Sequence, residues 1–450
     1  MLDLRLTSAV LFGKVVDFSI KRLGSTGATS APGYYALKID PLLVKKISRR
    51  VDRSILVTGT NGKTTTARLI SALFNEEKAL HNREGSNLLR GIASVLVKNL
   101  GILRHKNIST AIWETDEAAI GDILNQVEPD IVIVTNLFRD QLDRYGEVNA
   151  LYKKIRLALT DTPKKPILVL NANDPNVASL GHGYREKVIY FGLDKYSNPT
   201  AGGVPDAVFC PICGNKLKYL QIFYSHIGNY SCLKCSFKTP QIDVLINDSA
   251  DLSLRTGGKD FKVKTNLEGL YNHYNIASAL GVWMASGYQL EDEEIKKIEG
   301  VKAVFGRQEE FVLKNGRKVK IILVKNPTAF NQVLATIGTG DLAIILNDNY
   351  ADGRDVSWIW DIQIDNSKYK DRKFFVAGSR SWDMANRLKY AGISMDKIVV
   401  QKSIQELLKS AESDKSNIES TLYILPTYTA LLQLKRRLSK GKYTSKFWHG

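Results

Sequence analysis

Lys63 carries the clearest chemical signal in the sequence. It stands in GTNGKTTT, residues 59–66, after the apolar run ILVT and ahead of ARLISALF. Glycines at 59 and 62 let backbone N–H groups turn towards a phosphate, and a helix starting at Lys63 adds its positive end. The lysine reaches the outer phosphates and a threonine hydroxyl can ligate Mg²⁺. Val57 occupies the place of the first glycine in the commonest phosphate-loop spacing, but the physics of the turn survives that change. Gly59, Thr60, Asn61, Gly62, Lys63, Thr64 and Thr65 are the candidate nucleotide contacts.

Two further strings end in polar groups. TAIWETDEAAI supplies Glu114, Asp116 and Glu117, and VTNLFRDQLDRYG supplies Asn136, Asp140 and Asp143. In a parallel sheet these strand ends open on the same rim as the phosphate loop, where carboxylates can hold Mg²⁺.

The elements needed to position them are legible. From Ser54 to about Ala172, Val/Ile-rich segments alternate with helical ones, which predicts parallel strands joined by crossover helices on both faces. The alternation breaks at about 202–240 and resumes with NHYNIASALGVWMASG; a second alternation starts near Glu310. The fold expected is α/β: a parallel-sheet ATPase domain with an inserted module, then a smaller α/β domain. The divisions expected are 1–41 (helix and arm), 42–309 (ATP-binding domain, insert at about 206–238) and 310–450 (C-terminal domain). Val10, Leu11, Val15, Phe18 and Leu23 could line one face of a first helix packed on the body, with Gly24–Pro41 as an extended arm or surface loop. The basic end, KRRLSKGKYTSK, reads as a solvated tail or helix face.

All four cysteines fall in the insert, as CPICG (Cys210, Cys213) and CLKC (Cys232, Cys235). Two such knuckles at this separation match a four-thiolate zinc ribbon, a structural site with no open position for catalysis. With every cysteine so used, none is left as a glutaminase nucleophile.

The chain has 450 residues, 44% of them hydrophobic, and 63 Lys+Arg against 46 Asp+Glu give a formal +17. That balance points to an anionic partner: nucleotide, nucleic acid, phosphorylated substrate or anionic membrane surface. No apolar stretch approaches a membrane span, and Lys14 and Asp17 interrupt the first one, so a cytoplasmic protein is expected.

TGTNGKTTT, WETDEA, TNLFRDQLDRYG, LNANDP, GLYNHYNIASA and FGRQEEF occur in the order and approximate spacing of the Mur ligase family, to which folylpolyglutamate synthase is related. The resemblance implies ATP on residues 59–65, Mg²⁺ on Thr64 and Glu114, and Asn272 and Asn275 near the adenine. It also implies that Arg307 reaches the nucleotide and that Asn136 and Asp140 shape the same pocket. Gln141 stands where many members have His, and Tyr271 precedes Asn272. In VKNPTAFNQVL, Lys325 replaces a family His before Asn326 and Pro327, as a phosphate contact or a solvent-facing lysine. The implied chemistry is phosphorylation of a carboxylate by ATP, then attack of an amine on the acyl phosphate.

Within the family, the short stretch before the loop, the ribbon and NDNYADGRDVSWIWDI resemble the synthetase subunits of lipid II isoglutaminyl synthase. That implies a GatD-type class I glutamine amidotransferase partner and amidation of the stem D-glutamate of lipid II at the inner membrane face, with no nucleic acid partner. It also implies an Asp completing the partner's Cys-His triad: Asp355, with Asp352 second. Trp358 and Trp360 alternate as on a strand. A ligase adding an amino acid to a soluble acceptor is the alternative within enzymes. A nucleotide-regulated nucleic-acid-binding protein, using the ribbon and the basic surface, is the alternative outside them.

Overall fold

The computed structural model describes residues 3–22, 30–75, 79–82, 87–99, 108–140, 148–197, 206–247, 252–301, 307–414 and 418–440. Gln141, Asp143 and Leu23 lie outside the described residues, as does the side chain of Arg307.

A nine-stranded sheet comes first: β1 (Arg53–Thr58), β2 (Ala79–His81), β3 (Thr110–Glu114), β4 (Ile131–Val134), β5 (Ile167–Asn171), β6 (Val188–Leu193), β9 (Val244–Asn247), β10 (Ser253–Thr256) and β11 (Lys259–Lys262). Their order is β11-β10-β9-β6-β5-β4-β1-β3-β2, parallel from β2 to β9 and antiparallel beyond. The strands intervening in sequence, β7 (Leu217–Tyr224) and β8 (Ile227–Cys232), form the antiparallel hairpin of the insert.

Both faces of the sheet are covered, as an apolar run such as ILV requires. Ile55 and Val57 face a core built with α4 (Lys63–Leu73), α8 (Leu270–Ala285) and α9 (Asp292–Glu299). Leu56 faces the opposite core, built with α1 (Leu4–Arg22), α2 (Ala31–Ile39), α3 (Leu43–Ser48), α5 (Leu89–Asn99), α6 (Ile120–Val127) and α7 (Val148–Asp161).

The second sheet has the order β12-β13-β17-β14-β15-β16. It comprises β12 (Arg307–Val312), β13 (Lys318–Ile322), β14 (Leu342–Ile345), β15 (Phe374–Ala377), β16 (Ile398–Val400) and β17 (Leu422–Pro426), parallel except for the β12/β13 pair. It is flanked by α10 (Pro327–Thr336), α11 (Ser381–Tyr390), α12 (Ile404–Ser413) and α13 (Tyr428–Lys440). The described part of the basic end, to Lys440, is the last turns of α13, which buries Leu434 and Leu438.

Three expectations are corrected. Residues 31–39 are a helix rather than an extended arm, because Pro32 sits in the first turn, where its missing N–H costs nothing. Gly33 brings α2 onto α5: its N–H donates to Ser94 Oγ at 2.8 Å, and an added Cβ would lie 2.1 Å from the Arg90 carbonyl oxygen. The first helix packs through Leu6, Ala9, Val10 and Gly13; of the four described residues expected on its inner face only Val10 is there, and Leu11, Val15 and Phe18 point outward. Small residues at positions 9 and 13 let the backbones approach, which an apolar count overlooks. Trp358 and Trp360 belong to a 3₁₀ turn, Ser357–Asp361, that starts where Asp355 accepts the Ser357 N–H.

Candidate active site and metal centre

β1 lies between β3 and β4, with Val57 level with Glu114 and Thr58 level with Val134. The loop after β1 therefore sits between the ends of the two flanking strands. Gly59 and Gly62 have φ of +125° and +89°, and each is walled in: an added Cβ would stand 2.3 Å from Thr135 Oγ1 and 2.2 Å from Asn275 Oδ1, respectively. Only glycine meets both demands.

Lys63 begins α4 and is buried. Its Nζ lies 2.5 Å from the Gly59 carbonyl oxygen and 2.8 Å from Glu117 Oε2. Burial disfavours its charge, but Glu117, with Glu114 and Asp116 nearby, more than offsets that and raises the lysine above its ordinary value. The Thr64 hydroxyl donates to Glu114 Oε1 at 2.8 Å. Glu114 Oε2 is buried without a hydrogen-bond partner among the described residues, an acceptor beside a threonine oxygen that suits a hard divalent cation. Asn82 clamps the Glu114 backbone: its Nδ2 donates to the Glu114 oxygen and its Oδ1 accepts the Glu114 N–H, both at 2.8 Å.

The segment after β4 is bonded into the phosphate loop. Asn61 N–H donates to Asn136 Oδ1 at 2.8 Å, Asn136 Nδ2 to the Asn61 oxygen at 3.1 Å, and Thr60 N–H to the Asn136 oxygen at 2.9 Å. Thr65 is buried in the first turn of α4. From α8, Asn275 Oδ1 stands against Gly62 and accepts the Thr66 hydroxyl at 3.4 Å, while its Nδ2 donates to Asn272 Oδ1 at 3.1 Å. Asn275 is thus brought to the phosphate loop itself, with Asn272 hydrogen-bonded behind it.

The second sheet reaches the same place. Lys325 Nζ lies 2.5 Å from Asp140 Oδ2, and Asn326 Nδ2 donates to Asn61 Oδ1 at 3.1 Å. Lys325, partly exposed, is held in an ion pair that ties the stretch before α10 to the segment after β4.

A third support comes from the insert. His226, at the tip of the β7/β8 hairpin, is fully buried, with Nε2 3.3 Å from Asp174 Oδ2 and Nδ1 3.9 Å from Asp206 Oδ2. Asp174 accepts the Leu137 N–H at 2.8 Å, and Asp206 accepts the Arg139 N–H at 3.1 Å. Burial works against a charged imidazole, but the two carboxylates outweigh it and raise His226 above its ordinary value. Sequence reasoning missed Asn82, which nothing in its surroundings marks. It also missed His226, for which the available signal was the lone histidine within the insert.

The four cysteine sulfurs lie within 4.8 Å of one another, with 3.7 Å between Cys210 and Cys235 and 3.5 Å between Cys213 and Cys232. A disulfide needs about 2.05 Å, whereas four thiolates about 2.3 Å from a tetrahedral ion stand roughly 3.8 Å apart. The cluster can hold one metal ion.

Asp352 and Asp355 separate clearly. Asp352 is buried and accepts from Thr429 N–H at 2.7 Å, Asn349 N–H at 3.2 Å and the Thr429 hydroxyl. Asp355 is exposed, and its hydrogen bonds from Ser357 hold the carboxyl below the usual carboxylate range. Exposed Tyr350 and Trp360 lie in the same segment.

Residues 57–205 match the Mur ligase middle domain and residues 323–431 match the MurT ligase C-terminal family. The chain is 31% identical to subunit MurT of lipid II isoglutaminyl synthase (glutamine-hydrolyzing) from Streptococcus pneumoniae, covering 99% of both chains. It is also 31% identical to the Staphylococcus aureus subunit, over 97% of this chain and 99% of that one. Two solved structures share the fold at low identity. A pseudomurein peptide ligase type C from Methanothermus fervidus matches with a TM-score of 0.68 at 20% identity, over 93% of this chain and 85% of its own. FolC of E. coli, in complex with DHPP and ADP, matches at 0.57 and 14%, over 89% and 93%. The chain belongs to the MurT family of the Mur ligases, which are ATP-dependent carbon–nitrogen ligases.

Proposed function

We propose that this chain is the ATP-consuming subunit of a two-subunit enzyme that converts the α-carboxylate of stem-peptide D-glutamate in lipid II to the amide of D-isoglutamine. The observation that carries the catalytic part is the Lys63–Thr64–Glu114 assembly: a buried lysine at a glycine-walled turn, with a buried carboxylate oxygen beside a threonine hydroxyl. Its relatives' name supplies the substrate class.

The substrate carboxylate oxygen attacks the γ-phosphorus of ATP, and ADP leaves. Ammonia then attacks the carbonyl carbon of the acyl phosphate, forming the C–N bond; the C–O bond to phosphate breaks, inorganic phosphate leaves, and the nitrogen gives up one proton to become the amide NH2. Lys63 and the α4 N-terminus hold the phosphates and neutralise charge in the first step, which calls for positioning and electrostatics rather than a protein nucleophile. Thr64 and Glu114 would hold Mg²⁺, which adds charge neutralisation between the phosphates. Asn61, Asn136, Asn272, Asn275 and Arg307 are assigned to the nucleotide pocket on the family resemblance, with Asn326 holding Asn61.

All four cysteines belong to one cluster, which we assign to structural zinc, so the ammonia must come from elsewhere. We assign that role to a GatD-type class I glutamine amidotransferase. Asp355 is the acid offered to its Cys-His pair, because its carboxylate is exposed and Asp352 is consumed within this chain. No helix among the described residues is long and apolar enough to cross a membrane; we assign the enzyme to the cytoplasmic surface because ATP and the glutaminase partner are there.

The test is amidation of lipid II by the complex with ATP and glutamine, read by muropeptide mass. Glutamate added to the acceptor instead of nitrogen would favour a folylpolyglutamate-type ligase.

A further inference from the structure

We propose that the outward face of α1, together with the tyrosines of α2, is a docking surface for an anionic lipid bilayer. This deepens the functional reading above and rests on it, since that reading places the substrate in a membrane.

The observation is a helix apolar on both sides. Leu6, Ala9, Val10 and Gly13 are buried against the body, yet the opposite face carries Leu4, Leu11, Val15 and Phe18, a spacing that keeps them in one stripe. Leu4, Val15 and Phe18 are 72%, 59% and 62% exposed. Phe12 widens the stripe and meets Tyr35 of α2 edge-on at 6.3 Å, and Tyr35 meets Tyr34 at 5.3 Å. A folded protein has no reason of internal stability to hold this much apolar surface in water.

Charge selects the occupant. The basic residues of the two helices are Arg5, Lys14, Lys21, Arg22 and Lys38, and their one acid, Asp17, is paired with Lys21 at 2.7 Å. Arg22 lies over the Phe18 ring at 5.7 Å and Lys38 over the Tyr34 ring at 4.8 Å. Apolar and aromatic side chains rimmed by Lys and Arg suit the headgroup boundary of an anionic leaflet, where rings and stems sink and cations meet phosphate. The docking face is also coupled to the site. Gly33 of α2 packs on Arg90 and Ser94 of α5, and the residue two before that helix, Asn87, accepts the Asp116 N–H at 3.0 Å, next to the catalytic edge.

The test uses the full chain with its glutaminase partner and two variants at exposed positions, Val15→Glu and Phe18→Glu. Vesicles of phosphatidylcholine with and without phosphatidylglycerol are sedimented with each protein over a range of salt. Activity is measured on lipid II embedded in those vesicles and on a water-soluble short-chain analogue. Expected are salt-sensitive binding to phosphatidylglycerol vesicles, a loss of about tenfold or more in either variant, and a matching loss of activity on embedded lipid II with the soluble analogue turned over as before. The proposal is overturned if the unsubstituted protein ignores these vesicles, or if both variants bind them equally well. It is equally overturned if the variants release a protein partner or a second copy by light scattering while vesicle binding stays. Failure to amidate the soluble analogue at all would strike the functional reading instead, whatever the vesicles show.

Discussion

Lys63 Nζ and Glu117 Oε2 form a buried ion pair at 2.8 Å. The pair keeps the lysine at the proposed phosphate site charged despite its burial. Glu117→Gln leaves that cation buried with weaker support, which should lower stability by about 3 kcal/mol. Bound ATP should restore much of it, so the variant gains more thermal stability from ATP than the parent does in a melting experiment. Lys63→Ala should abolish amidation, with a loss of about a hundredfold or more.

Glu114→Gln tests the metal position. The Thr64 hydroxyl can still donate to an amide oxygen there, so the fold should persist, but the anionic acceptor is lost. Amidation should fall by about a hundredfold, with the Mg²⁺ concentration needed for half-maximal rate raised. An unchanged Mg²⁺ profile would remove Glu114 from the metal site.

His226 makes stability depend on pH. Its folded value is raised above the ordinary 6.5 by Asp174 and Asp206, so the folded state binds this proton more tightly than the unfolded one. The contribution is fully present below the unfolded value and is lost as pH rises through the folded one. The melting temperature should therefore decline on the alkaline side of 6.5. In His226→Gln that part of the decline should vanish, at an overall cost of roughly 3 kcal/mol. A parallel pH profile in the variant would show that the histidine is held neutral.

The cysteine cluster should bind one metal ion for each chain, and zinc should be found by elemental analysis. Cys235→Ser should reduce occupancy and, because Asp206 of the same insert accepts the Arg139 N–H and His226 backs Asp174, which accepts the Leu137 N–H, weaken ATP binding as well. Normal ATP affinity in metal-free protein would make the insert independent of the site.

How far the sequence reaches is clearest at particular residues. The turn at Gly59–Lys63 was readable because phosphate binding imposes glycines, a lysine and a helix start within a few consecutive positions. The strand ends at Glu114 and Asn136 followed from the parallel alternation, which decides which edge they share. Pairings between distant segments were not readable: Lys325 with Asp140, Asn82 with the Glu114 backbone, and His226 with Asp174 depend on where whole elements pack. The inner face of α1 was misread for a related reason, since close helix packing favours Ala9 and Gly13 over the larger side chains that now face outward.

The central claim is tested most directly by giving the complex lipid II and ATP, with either glutamine or ammonium as nitrogen source, and reading the muropeptide by mass spectrometry. The parent should exchange a carboxylate hydroxyl for an amine with both sources, Asp355→Asn with ammonium but not glutamine, and Lys63→Ala with neither. Amidation surviving in Lys63→Ala, or an unmodified muropeptide in the parent with both sources while ATP still binds, would contradict it.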